Sequence, residues 1–133
     1  MNTTEETTMR EMGRLAWFSL VGHLRDMCEA LNSSTSYGDK LRLAPHSTLY
    51  FEHPSKEQVN VLYCCGSEDN YWLRVHCDLD LVFLRYDACG VGSEYLGARE
   101  GDKVGFKVHD GWILQTAQEL AESMLFFLTV FKS

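Results

Sequence analysis

A chain of 133 residues, 45% hydrophobic and with only two prolines, has the size of one domain and enough apolar material to bury a core, which excludes general disorder. Nineteen acids against twelve lysines and arginines leave a net charge of −7. That balance argues against nucleic acid, whose phosphates are neutralised by Lys and Arg, and suits a basic protein partner.

Residues 1–8 read as a frayed start of this single domain, with Glu5 and Glu6 near a helix N-terminus. From about Thr8 to Leu31 apolar residues recur at helical spacing (Met9, Met12, Ala16, Leu20, Leu24, Met27, Leu31), and Trp17, Val21 and Cys28 widen the stripe. Asn32-Ser33-Ser34 ends this amphipathic helix and 33–40 reads as a polar loop. Leu41–Ala44 suits a short edge strand, which Pro45 separates from the next apolar run.

Ser47 to Asp87 holds four apolar runs separated by turn chemistry, which predict an antiparallel meander. A five-residue turn at 53–57 sets Phe51 opposite Val59 and Leu49 opposite Val61. The next, at 66–70, sets Tyr63 opposite Leu73 and Val61 opposite Val75. A tight third turn around 77–80 sets Val75 opposite Val82 and Leu73 opposite Leu84. All three registers put Leu49, Phe51, Val59, Val61, Tyr63, Leu73, Val75, Val82, Leu84 and Tyr86 on one face. Residues 88–102, with Gly90, Gly92, Gly97 and Gly101, read as a Gly-rich surface loop. Lys103–His109 alternates as a fifth strand, its lysines suited to an edge. Asp110 is the expected N-cap of a last helix, Trp112–Lys132, striped by Ile113, Ala117, Leu120, Met124, Phe127 and Phe131. Its last turns are apolar nearly all round, so the first helix and the sheet, or a second copy of the chain, must cover them. The expected class is α+β: a long N-terminal helix, a five-stranded mostly antiparallel meander sheet and a C-terminal helix packed on the sheet.

Five cysteines, an odd number with two adjacent, and a polar acidic Met1–Thr8 where a signal peptide would be basic and then apolar, indicate a reduced cytoplasmic protein. The longest apolar run, 124–131, is interrupted by Thr129 and is far short of the ~20 residues of a membrane span. Cys64-Cys65 with His76-Cys77 suggests a metal set. The register, however, puts Cys65 and Cys77 at opposite ends of a hairpin, roughly 15–18 Å apart, while one zinc needs its ligands within ~2.3 Å; no metal and no cofactor are expected. Cys89-Gly90-Val91-Gly92-Ser93-Glu94 lacks the following helix that a phosphate loop needs. The five histidines are scattered, so the chain is read as a non-enzyme, with a spatially assembled His/Cys/acid site as the remaining alternative.

The other face of the meander carries Tyr50, Glu52, Asn60, Leu62, Trp72, Arg74, His76, Leu81, Phe83 and Arg85, too apolar for a wet face and too charged for a core. Trp, Tyr and Arg are the types enriched at binding hot spots. Either a helix covers this face, with Trp72 and Phe83 as core, or it is a partner surface. Trp72, Arg74, His76, Phe83 and Arg85, with the acids Glu68, Asp69 and Glu94, are the candidate partner-binding residues. In size, acidity and lack of catalytic signature, though in no motif, the chain is similar to the immunity proteins of bacterial toxin–immunity pairs, which mask nuclease toxins; acidic phage-encoded inhibitors look the same. That resemblance implies an inhibitor of a basic toxin or other effector, as a monomer or homodimer. Type III secretion chaperones are similar in length and acidity and imply a dimeric adaptor instead, although they place a helix where this chain has its Gly-rich segment.

Overall fold

The computed structural model describes residues 3–34, 36–38, 41–65, 69–80, 83–108 and 111–130. They form an α+β fold of two terminal helices and a seven-stranded sheet. Helix α1 (Thr3–Ser34) is followed by β1 (Ser36–Tyr37), β2 (Leu41–Arg42), β3 (Ser47–Ser55), β4 (Gln58–Cys65), β5 (Asp69–Asp78), β6 (Phe83–Ala88), β7 (Val91–Glu100), β8 (Lys103–Val108), β9 (Leu114–Gln115) and α2 (Ala117–Val130). Strands β3 to β9 lie in chain order, every pair antiparallel, while β1 and β2 pair only with each other.

The meander is longer and set differently from the sequence expectation of five strands. Phe51 faces Val61 and Leu49 faces Tyr63, because β3 runs on to Ser55 and only Lys56-Glu57 make the turn, with an irregularity between Glu52 and Ser55. In the second hairpin Tyr63 faces Tyr71 and Val61 faces Leu73. In the third, Val75 faces Tyr86 and Cys77 faces Leu84, four residues from the expected register. The slips are two, two and four residues. All are even, so each side chain keeps its face. Leu49, Val59, Val61, Tyr63, Leu73, Val75, Leu84 and Tyr86 are buried and Phe51 packs against them; Val82 lies outside the described residues.

The larger correction concerns 88–102, which is not a loop. Cys89-Gly90 is a two-residue turn with both residues at positive φ (52° and 90°), and β7 comes directly after it. Two positive φ values are what a type I′ hairpin requires. The Asp87 carboxylate accepts the Gly90 N–H at 2.8 Å and steadies the turn. Gly92 is needed for closeness: a Cβ there would stand 2.0 Å from the Tyr86 carbonyl oxygen. Of the side chains along β7 only Tyr95 is buried, stacked on Tyr86 at 5.8 Å, so the strand carries little hydrophobic pattern. Nor is β8 an edge, since β7 and β9 flank it.

Both helices lie on the buried face. Trp17, Leu20, Leu24, Met27 and Leu31 of α1 and Leu120, Met124, Leu125 and Leu128 of α2 are fully or almost fully enclosed. Helix α1 runs from Thr3, through residues expected only to lead into it. Helix α2 begins at Ala117, not Trp112. Asp110 lies outside the described residues, and the cap is Thr116: its Oγ1 accepts the Glu119 N–H at 3.2 Å while Glu119 Oε1 accepts the Thr116 N–H at 3.0 Å. This reciprocal pair is a capping box. Those bonds, with Lys103 nearby, hold the Glu119 carboxyl below its usual range. The buried side of α2 is covered within the chain, by α1 and the sheet, and Thr129 is tolerated there because its hydroxyl donates to the Leu125 carbonyl at 2.9 Å.

The long edge strand β3 is closed by a side chain of α1. Asn32 Nδ2 donates to the Leu49 carbonyl and Asn32 Oδ1 accepts the Leu49 N–H, both at 2.8 Å. The amide thus occupies the place of a neighbouring strand. Asn32→Ala is expected to lower stability by about 1–2 kcal/mol and to promote self-association through the opened edge. Urea unfolding with light scattering checks this; an unchanged midpoint without association would mean that water serves Leu49 equally well.

Candidate functional site: the open face of the sheet

Alternation along β3 to β8 brings one residue in two to the side away from the helices. Register then orders these residues into rows across the sheet. Tyr50, Leu62 and Trp72 lie opposite one another. The next row is Glu52, Asn60, Arg74 and Asp87, and beyond it come Gln58, His76, Arg85 and Glu94. A fourth row holds Asp78, Phe83, Leu96 and Lys107. Among the described residues no helix or strand covers these rows: Tyr50 is 58% exposed, Leu62 and Leu96 are exposed, and Trp72 and Phe83 are half-buried among their neighbours. Coverage by one of the two helices, an expectation for this face, does not occur.

Six of the eight candidate residues therefore share one surface: Trp72, Arg74 and His76 on β5, Phe83 and Arg85 on β6, and Glu94 on β7. Glu68 lies outside the described residues. Asp69 opens β5 opposite Cys65, at a position of the other parity from Trp72. Leu96 and Lys107 also belong to the surface; sequence reasoning misses Leu96 because it treats 88–102 as a loop, and it leaves Lys107 on an edge strand without this neighbour. Their signal is present nonetheless: from a Cys-Gly turn, Glu94 and Leu96 alternate with Tyr95 and fall opposite Arg85 and Phe83.

The surface is electrostatically organised. The Arg74 guanidinium lies 4.7 Å from the centroid of the Trp72 ring, a cation–π contact. Arg85 pairs with Glu94 at 3.4 Å, and His76 Nε2 stands 3.7 Å from Glu57, an ion pair when the imidazole is protonated. Lys107 meets Glu100 at 2.6 Å. Such exposed pairs contribute little to stability, at most about 1 kcal/mol each. They do fix where charge is presented: cations along the middle of the face, on β5 and β6, with Asp87 among them, and the acids Glu52 and Glu94 on the flanking strands β3 and β7.

The cysteines are all free, and the strand register keeps Cys65 and Cys77 apart. Cys65 faces Asp69 at one end of the β4–β5 pair, while the Cys77 N–H donates to the Glu57 carbonyl beyond the other end, roughly 26 Å away at ~3.3 Å per residue. Cys89 binds the backbone of Trp72, its N–H donating to the Trp72 carbonyl at 3.1 Å and its Sγ accepting the Trp72 N–H at 3.3 Å. Among the described residues no three His, Cys, Asp or Glu side chains are grouped closely enough to hold a metal ion.

Burial pushes the Cys28 and Cys77 thiols up to about 12 from an ordinary 9.0. A raised pKa in the folded state means stability that is complete below about pH 9 and is lost as pH climbs from there towards 12. The expected result is unfolding facilitated by alkali, with Cys28 and Cys77 silent to a thiol reagent at pH 8 in the native protein. Rapid native labelling of either residue, located by mass spectrometry, would contradict their burial.

No helix among the described residues is long and apolar enough to cross a membrane. Comparison with protein-family models, with curated proteins and with solved structures found no match.

Proposed function

We propose that this chain is a protein-binding inhibitor that masks a basic partner, in the manner of an immunity protein, and that the open face of the sheet is its working surface. The observation that carries the reading is the uncovered strip Tyr50–Leu62–Trp72, with Arg74 in the next row and Arg85 and Phe83 further along the same face. Such an apolar strip, left bare while both helices crowd the other side, costs solvation unless something occupies it. Aromatic side chains at the two ends of the face, with Arg74 and Arg85 between them, supply the residue types of binding hot spots. Flanking acids on a chain of net charge −7 would draw in and orient a partner of opposite sign. Five free thiols suit a reducing compartment, where such a partner would be met inside the cell.

The test is affinity capture from the source cells with wild-type and Trp72→Ala baits side by side, read by mass spectrometry. A basic protein held by the wild type, lost from the variant and released by added salt supports the reading. Identical captures from both baits, or a captured partner indifferent to salt, would count against it.

A further inference from the structure

The connection between β8 and α2 presents two large apolar side chains to water. Trp112 is 88% exposed and Ile113 78% exposed. They are held out by a turn in which the Gly111 N–H donates to the Val108 carbonyl at 2.7 Å, and by the pairing of β9 immediately after them. Sequence periodicity would place both inside α2, but the capping box at Thr116 starts the helix too late to bury them.

Next to this knob is a groove of about 530 Å³ between the N-terminal half of α1 and the start of α2, lined by Met12, Leu15, Ala16, Val104 and Ala117 among others. Leu15 is 69% exposed, and Phe18, one turn further along the same face of α1, is also exposed. The groove wall is mixed, Ser19, His23, Thr116 and Gln118 joining the apolar residues, and it is close to the knob along the chain: Thr116 and Ala117 come four and five residues after Trp112.

We propose that this region is a two-fold interface between two copies of the chain, the Trp112–Ile113 knob of each seated in the helix groove of the other. A knob and a matching groove on one chain cannot meet within that chain when they lie side by side on its surface. A two-fold axis passing near Thr116 satisfies both at once and closes the assembly. The area is of the right order. With 150–250 Å² for an aromatic side chain, Trp112, Ile113, Leu15 and Phe18 together expose roughly 400–500 Å² per copy. That is at the upper end for a monomer's apolar patch, and doubled, with its polar rim, it reaches the ~1,200 Å² of a small stable interface.

Sedimentation velocity from about 1 to about 200 μM tests this with the full chain, its Trp112→Ser and Leu15→Arg variants, and their equimolar mixture. A wild-type dimer with micromolar dissociation is expected, weakened at least about 30-fold by either substitution, with far-UV circular dichroism unchanged. The mixture is diagnostic. A heterodimer joins the intact groove of the Trp112→Ser copy to the intact knob of the Leu15→Arg copy, so it must form more tightly than either variant alone. A wild type that stays monomeric at the highest concentration, a dimer insensitive to both substitutions, or no gain on mixing would each overturn the proposal.

Discussion

Trp17→Ala is expected to cost about 3–5 kcal/mol, the range for emptying an aromatic site in a packed core. The ring is fully enclosed on the sheet side of α1, and its Nε1–H donates to the Lys56 carbonyl at 2.7 Å. One side chain thus anchors the helix to the core and satisfies the tight β3–β4 turn at a separation of 39 residues. A stability of about 5–15 kcal/mol in total leaves little after such a loss, and a fall in melting temperature of about 10–20 °C should result. Trp17→Phe separates the two roles. It keeps most of the volume and removes the donor, so about 1–2 kcal/mol should be lost instead. Calorimetry on both variants checks this, and a Trp17→Ala protein within about 1 kcal/mol of the wild type would show that α1 is not seated here.

Trp72→Ala should divide along the opposite line. The Trp72 ring lies on the open face with the Arg74 guanidinium over it, at 4.7 Å, so its removal empties no core cavity and should change stability by less than about 1 kcal/mol. If the face is the working surface, the same substitution should weaken partner binding by about 30-fold or more, the equivalent of ~2 kcal/mol. Arg85→Ala, which frees Glu94 from its 3.4 Å pair, should have a smaller effect and alter the salt dependence of association. Titration calorimetry with the captured partner and thermal unfolding of the variant alone supply the two numbers. Unfolding by Trp72→Ala would make the residue structural, whereas wild-type affinity would move the binding surface elsewhere.

The contrast between these tryptophans reflects what the amino-acid order determines alone. Alternation within 47–87 suffices to divide Leu49, Val61, Tyr63, Leu73 and Val75 from Tyr50, Leu62, Trp72, Arg74 and Arg85, because period two assigns a face and is blind to any even slip. Helical spacing likewise brings Trp17, Leu20, Leu24 and Leu31 to one side of α1. Class and faces are therefore legible. Absolute register is not, since it depends on turn geometry: Lys56-Glu57 closes a hairpin whose first strand runs on through His53-Pro54, and the third hairpin is centred two residues later than its acids suggest. Strand β7 escapes detection because its pairing is carried by backbone hydrogen bonds and by glycine at a close approach, neither of which leaves an apolar pattern. The start of α2 escapes for a related reason: Trp112 and Ile113 fit the helical stripe, and only the Thr116–Glu119 bonds exclude them from it. Which face both helices choose is a long-range decision. Tertiary packing alone decides that the Trp72 face stands open and that Trp112 points to water, because burial depends on what arrives from elsewhere in the chain.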